Sequence, residues 1–131
     1  MPTNIETHPL HLGLGASAVV QPEFTGEMAW YEGYGARHGG DGAEGRLMAI
    51  HTFTDSWDMW EMHPVGSEVV VCISGAITLH QEATDGSVTQ VTLGPNEYAI
   101  NLPGVWHTAD VAGTAKVLFV TAGEGTQHRP R

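Results

Sequence analysis

The chain has 131 residues, enough for one hydrophobic core but not for two. Its formal net charge is −10, with 5 Lys and Arg against 15 Asp and Glu, so it lacks the clustered cations that nucleic acids and anionic membranes require. We therefore expect neither a nucleic-acid partner nor a membrane partner. A single cysteine, Cys72, excludes an intrachain disulfide, and the N-terminal residues do not look like a signal peptide. We expect a cytoplasmic protein.

The composition, with 15% charged residues and 17 glycines, favours short strands and many turns over long helices. Residues 1–25 contain three prolines and are predicted to form a mostly extended arm, with one edge strand near 16–20. The segment 33–45 holds six glycines and is predicted to be a surface loop.

From residue 46 onward, β-branched and aromatic runs alternate with turn residues. Strands are predicted at 46–54, 57–63, 68–74, 76–82, 87–93, 97–102, 107–111 and 116–121. Asp85-Gly86 lies between two of these runs and is a strong hairpin signal. The regular spacing of short strands indicates an all-β sandwich or closed barrel. Residues 123–131 are predicted to be an irregular tail.

Four side chains in this region can converge on one metal ion. Glu61 and His63 are two apart in a predicted strand, so they point to the same face. A short turn brings Glu68 beside them, and His107 opens a later strand after another tight turn. Carboxylate and imidazole groups are good ligands for borderline divalent ions. The sequence therefore predicts one divalent ion held by Glu61, His63, Glu68 and His107.

Two motifs in the chain resemble those of the cupin superfamily. The first reads Glu61-Met-His63-Pro-Val-Gly-Ser-Glu68, followed after six residues by Gly75. The second ends in Pro103-Gly104-Val-Trp-His107. The resemblance covers about residues 46 to 121. It implies a single-domain double-stranded β-helix, or jelly-roll barrel, at residues 26–122, with a metal in its mouth.

The chain departs from the family pattern at Glu61, where the motif has a histidine, and at Asn96, where a turn glycine is usual. Two histidines and two glutamates around a dication give a formally neutral site, which is a weaker Lewis acid than a site with three histidines. Glu61 is either a fourth ligand or a catalytic base beside three ligands. The resemblance leaves the metal open among Fe, Mn, Zn and Ni.

A ligand cavity is predicted beside the metal. Trp57 and Met59 share strand parity with Glu61 and His63, and His51 is a further pocket residue, although surface or core placement is an alternative for each. Five histidines are predicted to be surface residues: His8, His11, His38, His80 and His128. Cys72 is predicted to be a small buried hydrophobe.

Two functions follow from these observations. One is a metal-dependent enzyme acting on a small organic molecule, such as an oxygenase, isomerase or decarboxylase. The other is a non-enzymatic binding or sensing barrel whose metal anchors a ligand. The scarcity of Lys and Arg disfavours a phosphorylated or polyanionic ligand and favours a neutral or weakly acidic, partly aromatic one.

A homodimer is also predicted. Val69, Val71 and Ile73 face away from Glu68 on a strand that is apolar on both faces, and such a strand needs cover on both sides.

Overall fold

Residues 2–131, which a computed structural model describes, form eleven strands, one α-helix and two short 3-10 helices. The helix α1 spans Met28–His38, and the 3-10 helices span Leu14–Ala16 and Gly39–Glu44. The strands are β1 Leu10–Gly13, β2 Ser17–Val20, β3 Arg46–Phe53, β4 Met59–Met62, β5 Glu68–Gly75, β6 Ile77–Glu82, β7 Val88–Leu93, β8 Tyr98–Asn101, β9 Trp106–Asp110, β10 Ala115–Thr121 and β11 Gln127–Pro130.

The strands form two antiparallel sheets. The first has the order β2-β1-β3-β10-β5-β8, and the second has the order β11-β4-β9-β6-β7. The sheets face each other as the two walls of a jelly roll, which confirms the predicted all-β fold. All eight strands predicted after residue 45 are present, with bounds within about two residues of those expected.

The core lies between the two sheets because apolar residues alternate along the central strands. Val70 and Cys72 of β5 point inward from the first sheet, and Ile77 and Leu79 of β6 point inward from the second. Cys72 is fully buried, as predicted.

Two turns depend on the left-handed backbone conformation. Gly75 has φ 75°, and a Cβ there would lie 1.9 Å from the carbonyl oxygen of Thr114, so only glycine fits. Asn96 has φ 70° and replaces a turn glycine, a role that asparagine tolerates better than most residues.

The loop predicted at 33–45 is wrong, because this segment contains the second half of α1 and a 3-10 helix. Trp30, Tyr34 and His38 are spaced four apart and lie on one side of the helix. Trp30 is buried, packs edge-to-face on Phe24 and stacks on Tyr34, so tertiary aromatic packing overrides the low helix propensity of the glycines. No helix within residues 2–131 has the length and apolar character needed to cross a membrane.

Both ends of the chain contribute strands. In the arm, β1 and β2 form a hairpin that extends the first sheet. The irregular tail predicted at 123–131 is wrong in part, because β11 pairs with β4 at the edge of the second sheet. Pro130 is compatible with this place because an edge strand tolerates a missing backbone donor. The division into arm 1–25, barrel 26–122 and tail 123–131 stays a prediction.

The outer face of the first sheet is apolar across its central and edge strands. Its register places Val69 beside Ile100 and Val71 beside Tyr98. Tyr98 and Ile100 are 65% and 46% exposed. The same row continues into the partly buried residues Leu118, Val120, Ile50 and Met48. Charged residues flank these rows, with Arg46 at one end of β3 and Lys116, which pairs with Glu6, at the other. The rows between them are uncharged, so two copies of a strongly anionic chain can pair there without direct repulsion.

We propose that this face is the interface of the predicted homodimer and expect Ile100→Glu to dissociate it, because a carboxylate would be buried without a partner. Size-exclusion chromatography with light scattering measures the mass. Val88→Glu is the matched control, since Val88 is exposed on β7 of the opposite sheet. A wild-type protein that is strictly monomeric at about 100 μM contradicts the proposal.

Candidate metal centre

The four predicted ligands converge at one end of the space between the sheets. Glu61 of β4 and His107 of β9 are directly opposite each other across a strand pair. His63 follows β4, and Glu68 opens β5 in the other sheet. One ligand atom from each of the four lies within 4.8 Å of those of the others. The short Pro64–Ser67 turn between β4 and β5 is what brings Glu68 across from one sheet to the other.

The Nε2 atoms of both histidines lie close to the carboxylate oxygens of both glutamates. His63 Nε2 lies 2.9 Å from Glu61 Oε1 and 3.1 Å from Glu68 Oε2. His107 Nε2 lies 3.2 Å from Glu68 Oε1 and 3.5 Å from Glu61 Oε1. Despite these distances, neither buried Nε2 atom has a hydrogen-bond partner with suitable alignment within residues 2–131. Both rings therefore point between the carboxylates and not at either one.

The other nitrogen of each ring is held by the protein. His63 Nδ1 lies 2.8 Å from Thr126 Oγ1, and that hydroxyl donates its own proton to the carbonyl of Gly123. His63 Nδ1 must therefore be the donor. His107 Nδ1 faces the carbonyl of Val105 at 3.5 Å, a longer contact with the same polarity. A protonated Nδ1 leaves the Nε2 lone pair free for a metal, which is the usual arrangement around histidine ligands.

Glu68 is oriented by two donors from the surrounding strands. Asn101 Nδ2 donates to Oε1 at 3.0 Å, and the Thr121 hydroxyl donates to Oε2 at 2.6 Å. The side chain is 3% exposed. A carboxylate this deeply buried needs positive charge nearby, and the two histidines face it.

Glu61 is more accessible, and a residue of the tail holds it. Its Oε1 faces the centre, while its Oε2 lies 3.0 Å from His128 Nε2 of β11. The register of the strand pair places His128 directly opposite Glu61. His128 is a surface residue, as predicted, and it also contacts Glu61. One oxygen of Glu61 is available to a metal, and the other is available to a proton carrier.

Burial works against ionisation of these groups, but their mutual contacts outweigh it. Burial lowers the pKa of His63 and of His107, yet the close carboxylates of Glu61 and Glu68 raise each to about 9. In the same way, burial raises the pKa of Glu68, but the two histidines lower it to about 2, and they lower that of Glu61 further. Two negative carboxylates thus require two positive charges.

A divalent cation fits this site. It supplies the same two charges as two imidazolium protons, and it satisfies both unpartnered Nε2 atoms at once. Two nitrogen and two oxygen donors suit a borderline first-row ion.

A cavity of about 1120 Å³ opens beside the cluster and reaches α1. The three predicted pocket residues, Trp57, Met59 and His51, all line it. Its walls also carry aromatic side chains that packing brings together: Phe53, Phe119, Tyr31 and Tyr34. Trp57 Nε1 is buried and has no hydrogen-bond partner in the described chain.

Several residues around the site could not be identified from the motifs alone. Thr126, His128, Asn101 and Thr121 orient three of the four ligands, His63, Glu61 and Glu68, and they come from distant parts of the chain. His11, predicted as a surface residue, is 1% exposed. His38 also lies against the cavity. For Thr121 and Asn101, strand parity could have shown which face of the sheet they occupy. Placing them beside Glu68 also requires the sheet register, which the sequence does not give.

Comparison with known proteins identifies the architecture. No family model matches the chain, and no curated protein matches it. Solved structures do match. An oxalate oxidase aligns over 62% of this chain and 44% of its own, with 14% identity and a TM-score of 0.54. The oxalate decarboxylase of Bacillus subtilis aligns over 65% of this chain and 23% of its own, with 16% identity and a TM-score of 0.55.

The chain therefore spans less than half the length of these structures, and the likeness concerns the fold. It supports the resemblance that the two motifs carry. Residues 2–131 thus have a jelly-roll fold like that of these solved structures, with a histidine and glutamate cluster between the two sheets.

Proposed function

We propose that this protein holds one divalent metal ion with Glu61, His63, Glu68 and His107, and acts on a small organic molecule in the adjoining cavity. The observation that carries the proposal is the pair of buried, unpartnered Nε2 atoms, each belonging to a ring whose Nδ1 is turned toward a protein acceptor. When bound, the ion supplies Lewis-acid or redox chemistry at the inner end of the cavity.

Among Fe, Mn, Zn and Ni, the donor set supports Mn or Fe best, because half of the ligand atoms are carboxylate oxygens. A structural neighbour, the decarboxylase of Bacillus subtilis, contains Mn(II) centres. A metal-dependent oxygenase, isomerase or decarboxylase is the reaction class that this arrangement supports.

The charge of the cavity supports a neutral or weakly acidic ligand. Five carboxylates line it: Glu32, Asp55, Asp58, Glu61 and Glu124. Neither Lys nor Arg is among the residues that line it in the described chain. The neighbouring enzymes act on oxalate, a dianion, and a second carboxylate would find no cationic partner here. Aromatic walls suit a flat molecule instead.

Glu61 is proposed as both the fourth ligand and the catalytic residue. Its Oε1 faces the centre and its Oε2 contacts His128, which is 44% exposed at the side chain. If Glu61 leaves the ion, His63, Glu68 and His107 still hold it, and the freed carboxylate can accept a proton and pass it to His128.

The metal content tests the site directly. We expect near-stoichiometric metal in protein purified without a histidine tag, and at least about tenfold weaker retention in His107→Ala, because a ligand is lost. Elemental analysis measures both. The matched control is His80→Ala, since His80 pairs with Asp110 away from the cavity. Absence of bound metal from the wild type after loading with Mn²⁺, Fe²⁺ or Zn²⁺ contradicts the site.

Metal affinity should rise with pH because the ion displaces two imidazolium protons. Below about pH 9 we expect up to about tenfold tighter binding per pH unit for each proton released. The stability of the metal-free protein should instead fall as the pH rises. Its histidine contribution to stability is complete below about pH 6.5 and is lost as pH rises through about 9.

Competition with a chromophoric chelator at several pH values measures the affinity, and thermal unfolding with and without metal measures the stability gap. A difference in stability between metal-bound and metal-free protein that stays constant from pH 6.5 to 9 would contradict the displacement of protons by the ion.

The charge argument can be tested by restoring the family pattern. Glu61→His replaces a carboxylate by a neutral ligand and changes the formal charge of the loaded site from 0 to about +1. We expect the variant to keep its metal and to bind oxalate at least about tenfold more tightly than the wild type. Titration calorimetry with Mn²⁺-loaded proteins measures the difference. Glu23→Gln, which removes an exposed carboxylate outside the cavity lining, is the control and should leave the oxalate affinity unchanged. Equal oxalate affinities of Glu61→His and wild type would contradict the argument.

A further inference from the structure

A second polar cluster lines the same cavity on the side of α1. His11 of β1 lies between Tyr34 of α1 and Asp41 of the Gly39–Glu44 helix. His11 Nδ1 is 2.6 Å from the Tyr34 hydroxyl, and His11 Nε2 is 2.6 Å from Asp41 Oδ2. His11 and Tyr34 both line the cavity. None of the three belongs to the metal centre.

The chemistry of the three groups fixes the direction of the hydrogen bonds. An ionised Asp41 can only accept, so His11 Nε2 carries a proton and donates it. Consistent with this, the hydrogen bond from His11 is the largest of the effects that lower the pKa of Asp41. His11 Nδ1 is then an acceptor, and the Tyr34 hydroxyl donates to it. The Tyr34 oxygen keeps lone pairs with which it can accept a proton from another molecule.

The backbone encloses the pair of His11 and Asp41 closely. A Cβ at Gly13 would lie 2.7 Å from Asp41 Oδ2 and 3.0 Å from His11 Nε2. A Cβ at Gly45 would lie 2.8 Å from Asp41 Cβ and 3.0 Å from His11 Cε1. Glycine at both positions therefore lets two chain segments clasp the pair, and the imidazole has a fixed orientation.

The same geometry disfavours a second metal ion at His11, His38 and Asp41, whose donor atoms are close together. The rings of His11 and His38 stack at 3.9 Å with an angle of 15°, so their in-plane lone pairs cannot meet at one ion. His38 Nε2 accepts from the Gln21 amide, which Arg37 holds through its oxygen. Asp41 is the anionic group that contacts His11. The basic groups nearby are His38, whose ring stacks on His11, and Arg37, which binds Gln21.

We infer that Tyr34, His11 and Asp41 form a proton relay that accepts the proton of a hydroxyl group on an aromatic ligand in the cavity. The ligand O–H bond breaks as its proton moves to the Tyr34 oxygen, and the Tyr34 proton moves to His11 Nδ1. The ligand becomes a phenolate, and Asp41 stabilises the imidazolium, as in serine-hydrolase triads. The inference relies on the cavity as the ligand site of the proposed function, but not on the metal.

The walls of the cavity support this ligand class independently. Phe53, Trp57 and Phe119 line the cavity with flat, apolar rings. A phenol matches them and the relay, with one flat ring and one acidic hydroxyl.

The probe for the test is 4-nitrophenol, whose absorption spectrum distinguishes phenol from phenolate. Metal-free protein, prepared with a chelator, is titrated about one pH unit below the pKa of the free probe. We expect the bound probe to show an ionised-to-neutral ratio at least about tenfold above that of the free probe. Tyr34→Phe should abolish the shift while keeping the ring packing of α1. Tyr98→Phe, on the outer face of the first sheet and away from the cavity, is the control and should retain it.

Asp41→Asn is the second variant, since it removes the charge behind the imidazolium and should reduce the ratio at least about tenfold. Circular dichroism shows whether each variant is folded. The relay is wrong if metal-free wild type and Tyr34→Phe give the same spectrum, or if the probe does not bind at millimolar concentration. A shift that requires added metal and survives in Tyr34→Phe would also reject the relay, yet it would support the proposed metal centre.

Discussion

The rest of the structure depends on charge compensation between two glutamates, one of them deeply buried, and two buried histidines. Glu68 comes from the first sheet, and Glu61, His63 and His107 come from the second or its edge. Because a buried carboxylate is costly without compensation, the two sheets are held in one relative position by the need to share positive charge. Two protons or one dication meet that need equally in formal charge, but a single ion meets it with directed bonds to all four side chains.

This requirement explains why the oriented contacts extend so far from the motifs. Thr126 and His128 come from the tail, and each holds one member of the cluster. The pairing of β11 with β4 therefore has a role beyond completing a sheet. It fixes the tautomer of His63 and occupies the outer oxygen of Glu61, so that the inner edges of both groups face the centre.

The sequence predicted the strands after residue 45 well because each is a short apolar run between strong turn residues, as around Gly75 and Asn96. It also predicted the four-residue cluster, since strand parity and one tight turn are local rules. It missed α1 because the segment is rich in glycine, which predicts a loop. The helix is stabilised instead by aromatic residues spaced four apart, of which Trp30 packs on Phe24 and Tyr34. It missed β11 and the burial of His11 because both depend on neighbours remote in the chain.

The helix that the sequence missed changes how the cavity is understood. Without α1, the space beside the metal would be an open mouth with one chemically active end. With it, Tyr34 and His11 line the same space as Glu61, so a molecule bound there as proposed would lie between the relay at the helix and the metal centre. Both ends have the same design, in which a carboxylate stabilises an imidazole that handles a proton or an ion. A neutral molecule with an ionisable hydroxyl can use both ends, whereas a dianion can use neither.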